Sequence, residues 1–307
     1  MNMINVNHLN KKFQDKTVLL DVSFSIQAGR ITGILGKNGA GKTTLLKILL
    51  NLIDKTSGTV DYTFQNKHIP YGNRALYRNM AAVLESVDNL YDYLTGRQNI
   101  NYFLNLSGIS PASKTSEINS LFKKFDLSSA IDQRVGQYSR GMKQKLALIS
   151  CLVSNASLLF LDEPTLGLDF VASRTLIRQI KEINQQLHKT IILTSHQADV
   201  LEKLVDDVLL IDNQKVRFFG PYEEFQKTFS SFGFVVVSSH FSFKANNAIT
   251  VNSSDDGKRV TTTFKTLKDQ QEFLKKLLEH GITVHAVQNR YPSLDELLRL
   301  VLSLIHI

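Results

Sequence analysis

The chain has 307 residues, with 36 Lys and Arg against 28 Asp and Glu, for a formal net charge of +8. That length suits one large domain plus something smaller. A content of 43% hydrophobic and 21% charged residues excludes a disordered, collagen-like or disulfide-stapled chain. The lone cysteine, Cys151, has no internal partner and fits a reducing compartment. Basic residues are spread along the chain without a block, so the charge reads as a solvated surface and no nucleic-acid partner is expected. Met1 to Lys12 lacks an apolar core of signal-peptide length, which points to the cytoplasm. The uncharged run Leu146–Leu161 is interrupted by Ser154, Asn155, Ala156 and Ser157, whereas a membrane span needs roughly 20 predominantly apolar residues. It reads as a buried helix, a turn and a buried strand, and the chain is not expected to cross a membrane.

In chain order, Ile31–Leu35 is an apolar run ending in a glycine-rich turn, and Thr43–Leu52 has helical spacing, giving strand, loop, helix. A more helical middle runs from Leu84 to Val153, with helices predicted at Arg97–Leu106, Ser116–Phe125 and Arg140–Val153. Leu158–Leu161, Ile191–Thr194 and Val208–Ile211 are short apolar runs that read as buried strands. This alternation predicts an α/β domain with a largely parallel sheet. After Gly220-Pro221 the pattern changes. Ile249–Asn252 and Arg259–Phe264 flank Asp255-Asp256-Gly257, a hairpin turn signal; Thr266–His280 has helical spacing and Ile282–Val287 reads as a strand. Residues 221–301 are therefore expected to form a small α+β appendage. The last six residues, Leu302-Ser303-Leu304-Ile305-His306-Ile307, equal the translation of CTGTCTCTTATACACATC, the mosaic end of a transposase adapter. They are expected to be foreign to the natural protein, whose own C-terminus would then be missing. The competing reading is an apolar continuation of a helix over Leu294–Val301.

Gly36-Lys37-Asn38-Gly39-Ala40-Gly41-Lys42-Thr43 matches G-x-x-x-x-G-K-[ST] between a predicted strand and a predicted helix, the context that this motif requires. Its glycines let backbone N–H groups curl around phosphates, and the helix N-terminus adds free donors. Lys42 is expected to reach the β- and γ-phosphates and Thr43 to bind Mg²⁺, with Thr44 beside them. Ser157-Leu158-Leu159-Phe160-Leu161-Asp162-Glu163-Pro164 is an apolar strand ending in two carboxylates. Asp162 is placed to hold Mg²⁺ through water, and Glu163 is the candidate general base or water-positioning residue.

With these two motifs on the page, residues 1–220 resemble the nucleotide-binding subunit of an ATP-binding cassette (ABC) transporter. The resemblance implies a P-loop NTPase (RecA-like) core with an N-terminal antiparallel β part and a helical subdomain inserted at about residues 85–153. Tyr138-Ser139-Arg140-Gly141-Met142-Lys143-Gln144 sits where the family has its L-S-G-G-Q signature, which implies that Ser139 and Gly141 contact the γ-phosphate held by the opposite subunit. Arg140 stands in place of a glycine and Met142 in place of a glutamine. Leu166-Gly167-Leu168-Asp169 resembles the D-loop, whose Asp contacts the partner subunit. His196 resembles the switch histidine that senses the γ-phosphate. Phe13 matches the aromatic that stacks on adenine, with an ordinary strand aromatic as the competing reading. Glu85 stands where the family has a glutamine, and its carboxylate could ligate Mg²⁺ or a water. Leu90-Tyr91-Asp92-Tyr93-Leu94-Thr95 resembles the segment lining the groove for a coupling helix of the membrane subunit; a simple loop leading into a helix is the equal alternative.

The resemblance thus implies an ATPase that uses ATP and Mg²⁺. Two subunits, identical or paralogous, would sandwich two nucleotides and drive a separate multi-span permease at the cytoplasmic face of the membrane. The appendage and Glu85 look more like those of exporter subunits than of importers. The rival reading is a soluble ATPase of the same superfamily acting in translation, DNA repair or cofactor assembly. The transported substrate is not written in this chain.

Overall fold

The structure is a computed structural model, and it describes residues 2–84, 89–195, 198–229, 233–243, 245–254, 258–264 and 266–290. Glu85, His196, the turn at 255–257, the helix expected over 294–301 and the six terminal residues fall outside the described residues.

The chain divides into two compact units, Met1–Tyr222 and Glu223–Ile307. The first unit opens with β1 (Asn2–Phe13), β2 (Lys16–Gln27), β3 (Ile31–Leu35), α1 (Lys42–Leu49), β4 (Ser57–Phe64), β5 (Lys67–Pro70) and β6 (Met80–Val83). Three helices follow: α2 (Gly96–Leu106), α3 (Thr115–Lys124) and α4 (Arg140–Val153). Then come β7 (Leu158–Asp162), α5 (Phe170–Leu187), β8 (Thr190–Thr194), α6 (Ala198–Leu204), β9 (Asp207–Asp212) and β10 (Lys215–Pro221).

Two sheets organise the first unit. The central one has the order β10-β9-β3-β8-β7-β6, parallel except where β10 pairs with β9. Every residue of β3, β7 and β8 is buried. That is why these strands read as continuous apolar runs: helices or a second layer cover both faces of a parallel sheet. The other sheet, β2-β1-β4-β5, is antiparallel. Its inward residues Val6, Ile26 and Tyr62 share one core with Ile34, Phe160 and Ile192 of the central sheet and with Leu45 and Leu49 of α1. This architecture is the expected P-loop α/β class. Gly220 and Pro221, after which the sequence pattern changes, sit in β10, opposite Val208 and Asp207, and the division between the two units follows at Tyr222. At the end of the sheet order, β10 is an edge strand, the one setting where a proline costs the ladder no hydrogen bond.

In the second unit, after α7 (Tyr222–Phe229), β11 (Gly233–Ser239), β12 (Ala248–Ser253), β13 (Arg259–Phe264) and β14 (Val284–Arg290) form an antiparallel sheet of order β12-β13-β11-β14, packed with α8 (Leu267–Glu279). Val236, Phe264, Phe273 and Leu277 make its core. Thr266 caps α8 by accepting from the Asp269 N–H at 3.1 Å.

Candidate functional site

The glycine-rich loop lies between β3 and α1. The residue ahead of α1, Gly41, has φ 104°, and a Cβ there would lie 2.9 Å from the Val18 carbonyl oxygen, so only glycine fits. No side chain caps this helix. Its first-turn N–H groups are left pointing into the loop at the positive end of the helix dipole. Lys42 folds back so that its ammonium donates to the Gly36 carbonyl at 2.8 Å and the Lys37 carbonyl at 3.1 Å. Burial pushes the Lys42 pKa below its ordinary value, while the charges of Glu163 and Asp162 draw it back up.

The strand order β3-β8-β7 aligns the ends of β3 and β7 across one intervening strand. Asn38, Gly39, Gly41, Lys42, Thr43 and Thr44 of the loop face Asp162 and Glu163 across a cavity of about 560 Å³. Lys16, Val18, Leu166 and Thr194 complete its lining. Asp162 and Glu163 are both buried, and Glu163 has a left-handed backbone, φ 50°. The Glu163 N–H donates to both the carbonyl and the hydroxyl oxygen of Thr194, and the Thr194 hydroxyl donates to Asp162. A glycine-bounded loop at a helix N-terminus, with an ammonium beside it, suits phosphates, and the Thr43 hydroxyl and Asp162 carboxylate are hard oxygen donors of the type Mg²⁺ prefers.

Among the described residues, the other sequence-derived candidates do not line this cavity. Gly36, Lys37 and Ala40 belong to the same loop but are not among its lining residues. Ser139 caps α4, accepting from the Met142 N–H at 3.2 Å, and Asp169 caps α5, accepting from the Ala172 N–H at 2.8 Å. Gly141 and Leu168 are in contact range, for a Cβ on Gly141 would lie 3.3 Å from Leu168 Cδ2. The Arg140 guanidinium covers Gly167. Ser139, Gly141 and Asp169 are therefore gathered into one surface, and none of them lines the cavity. Phe13 is exposed, with the Lys11 ammonium 4.4 Å from its ring centroid, and it too lies outside the lining. Sequence reasoning missed Lys16, Val18 and Thr194. The first two carry no motif, and Thr194 was visible only as a strand residue two positions ahead of His196.

The sequence model described as ABC transporter matches residues 19–166. The chain is 31% identical to the ABC transporter ATP-binding protein NatA of Bacillus subtilis, over 72% of this chain and 90% of that protein. It is 35% identical to the Nod factor export ATP-binding protein I of Burkholderia lata, over 68% of this chain and 67% of that protein. Likeness to the bacitracin transport ATP-binding protein BcrA of Bacillus licheniformis, at 29% identity, covers 96% of this chain and 95% of that one. The solved structure of cbiO1 from Clostridium perfringens, part of the ABC transporter complex cbiONQ, has a TM-score of 0.66 and 26% identity, over 73% of this chain and 90% of that chain. This chain belongs to the ABC transporter ATP-binding proteins.

It is thus the ATP-binding subunit of an ABC transporter, and an ATPase. The ABC core carries a second, larger cavity of about 1010 Å³ beside β6, α2 and α4, lined by residues that include Met80, Val83, Leu90, Phe103, Leu106 and Cys151. The segment from Leu90 to Thr95 is a turn into α2, closed by a capping box between Thr95 and Gln98. Its Tyr91 packs edge-on against Tyr102, ring centroids 4.8 Å apart, and donates a hydrogen bond to the Tyr102 hydroxyl at 3.1 Å. Among the described residues no helix is long and apolar enough to cross a membrane.

Proposed function

We propose that this ABC ATP-binding protein binds Mg·ATP in the cavity between the glycine-rich loop and β7. Two such subunits, identical or paralogous, would close around two nucleotides to drive export through a separate multi-span permease at the cytoplasmic face of the membrane. The observation that carries the reading is the division of the candidate residues. Lys42, Thr43, Asp162 and Glu163 meet at one cavity, whereas Ser139, Gly141 and Asp169 sit on a surface outside it. A site completed by the opposite subunit explains why both sets are present.

Magnesium, when bound, would neutralise charge at the β- and γ-phosphates. Loop N–H groups and Lys42 would hold the phosphates, Thr43 and Asp162 the metal, and Glu163 would orient the attacking water and take its proton. Closure on ATP and reopening after hydrolysis would be the mechanical stroke. His196 and Glu85 are assigned by family position to γ-phosphate sensing and to metal or water ligation, and Phe13 to adenine stacking. The apolar and aromatic cavity beside α2 suits a helix-in-groove contact with the permease. Outward transport is supported by the likeness to the Nod factor export protein.

The test is Glu163→Gln in the full chain. Trapping of an ATP-bound dimer, seen by light scattering, together with loss of phosphate release is the expected result. Undiminished hydrolysis would remove Glu163 as the base.

A further inference from the structure

Thr194 ends β8 inside a buried apolar run, Ile191-Ile192-Leu193, and is itself only 1% exposed. Backbone pairing already sets Asp162 opposite Thr194 in the sheet. A β-branched apolar side chain would suit such a position and would bury no polar atom. The hydroxyl is nevertheless there, and it is fully used. It donates to Asp162 Oδ1 at 2.5 Å and accepts from the Glu163 N–H at 3.1 Å. A hydroxyl has one proton, and an ionised carboxylate only accepts. The direction of both bonds is therefore fixed while Asp162 is charged. A carboxylate held by one oxygen cannot turn freely about its Cβ–Cγ bond. The same oxygen shares the Glu163 N–H with the Thr194 carbonyl, at 3.1 and 3.2 Å, and so helps to hold Glu163 at a φ of 50°, a left-handed conformation unusual for a glutamate, from which its side chain leaves the end of β7.

We propose that Thr194 is a positioning residue for ATP hydrolysis, whose hydroxyl sets the Asp162 carboxylate for the metal and the Glu163 backbone for the attacking water. Its hydroxyl is engaged by these two residues and acts through them. The proposal rests on the roles assigned above to Asp162 and Glu163.

Thr194→Val and Thr194→Ser, made in the full chain beside Asp162→Asn and Glu163→Gln, test it. Fluorescent-nucleotide binding is titrated with Mg²⁺ and repeated in EDTA, and hydrolysis and the melting temperature are measured on the same samples. Val is expected to raise the Mg²⁺ half-saturation and to lower kcat, each by about tenfold, the effect of losing one hydrogen bond to a charged group. Affinity in EDTA should stay at the parental value, the melting temperature should fall only by the cost of one buried hydrogen bond, and Ser should restore the Mg²⁺ half-saturation and kcat. The proposal is overturned if Val leaves the Mg²⁺ dependence and kcat unchanged, or if Ser fails to rescue. It is equally overturned if EDTA affinity and melting temperature fall together while the Mg²⁺ half-saturation stays fixed. Parental hydrolysis by Asp162→Asn and Glu163→Gln would instead refute the reading of the site. Loss in those two with an unimpaired Val variant refutes Thr194 alone.

Discussion

Replacing Lys42 by methionine removes the ammonium while keeping most of the stem. In the structure that ammonium is already satisfied, by the Gly36 carbonyl at 2.8 Å and the Lys37 carbonyl at 3.1 Å. Nucleotide binding must therefore exchange two bonds to neutral oxygens for bonds to phosphate. A hydrogen bond from a charged donor contributes about 1.5–3 kcal/mol, with a neutral carbonyl toward the lower end and an anionic phosphate toward the upper, so the exchange gains roughly 1–3 kcal/mol for two bonds. Affinity for ATP should fall by about 5- to 150-fold in Lys42→Met, not vanish. Hydrolysis should fall further, because negative charge on the transferring phosphoryl group is also stabilised in the transition state. Fluorescent-nucleotide titration and steady-state phosphate release measure the two effects. The pH dependence has a fixed sign. Burial lowers the Lys42 pKa in the free protein, and the phosphates of bound ATP raise it again, so binding takes up a proton above the free-state value. Affinity of the parent protein should drop as the pH rises through this lowered Lys42 pKa, earlier than for an ordinary lysine, and that of the Met variant should not follow the same drop. Unchanged affinity in Lys42→Met, or a loss of hydrolysis no larger than the loss of affinity, would refute this reasoning.

Gly167 has φ 75°, and a Cβ there would lie 2.6 Å from Arg140 Cζ. Gly167→Ala should destabilise by about 1–2 kcal/mol in a urea melt from the left-handed backbone alone, and adding Arg140→Gly should relieve the contact but leave that strain. Recovery of full stability in the double variant would show that the backbone is not the cause. Thr95→Ala removes the capping box at the start of α2 and is expected to cost about 1 kcal/mol, read by thermal or chemical unfolding. The Cys151 thiol is buried, and burial pushes its pKa up to about 12. It should resist maleimide at neutral pH in the native protein and react at once in urea; rapid native labelling would overturn that picture.

Much of the fold is legible in the chain where the signal is local. β3 and β8 are runs of buried residues, so apolar content alone outlines them within a residue, and the α4 helix is found at the predicted Arg140–Val153. β5 and β10 escape notice because they are mixed-polarity edge strands with many exposed positions, which present no periodicity to read. The glycine-rich loop is legible because its function resides in eight consecutive residues whose spacing the backbone itself fixes.

The sequence by itself therefore determined the phosphate-loop chemistry, the carboxylate pair at the end of a buried strand and the α/β class, all properties of contiguous residues. Tertiary structure alone decided which side chains meet. It brings Thr194 to Asp162 across a separation of 32 residues, sets Arg140 over Gly167, and adds Lys16 and Val18 from an antiparallel strand to the cavity wall. The reason is physical. Such contacts follow from strand order and register in the sheet, and these are settled by burying two faces at once rather than by the pattern of any single segment.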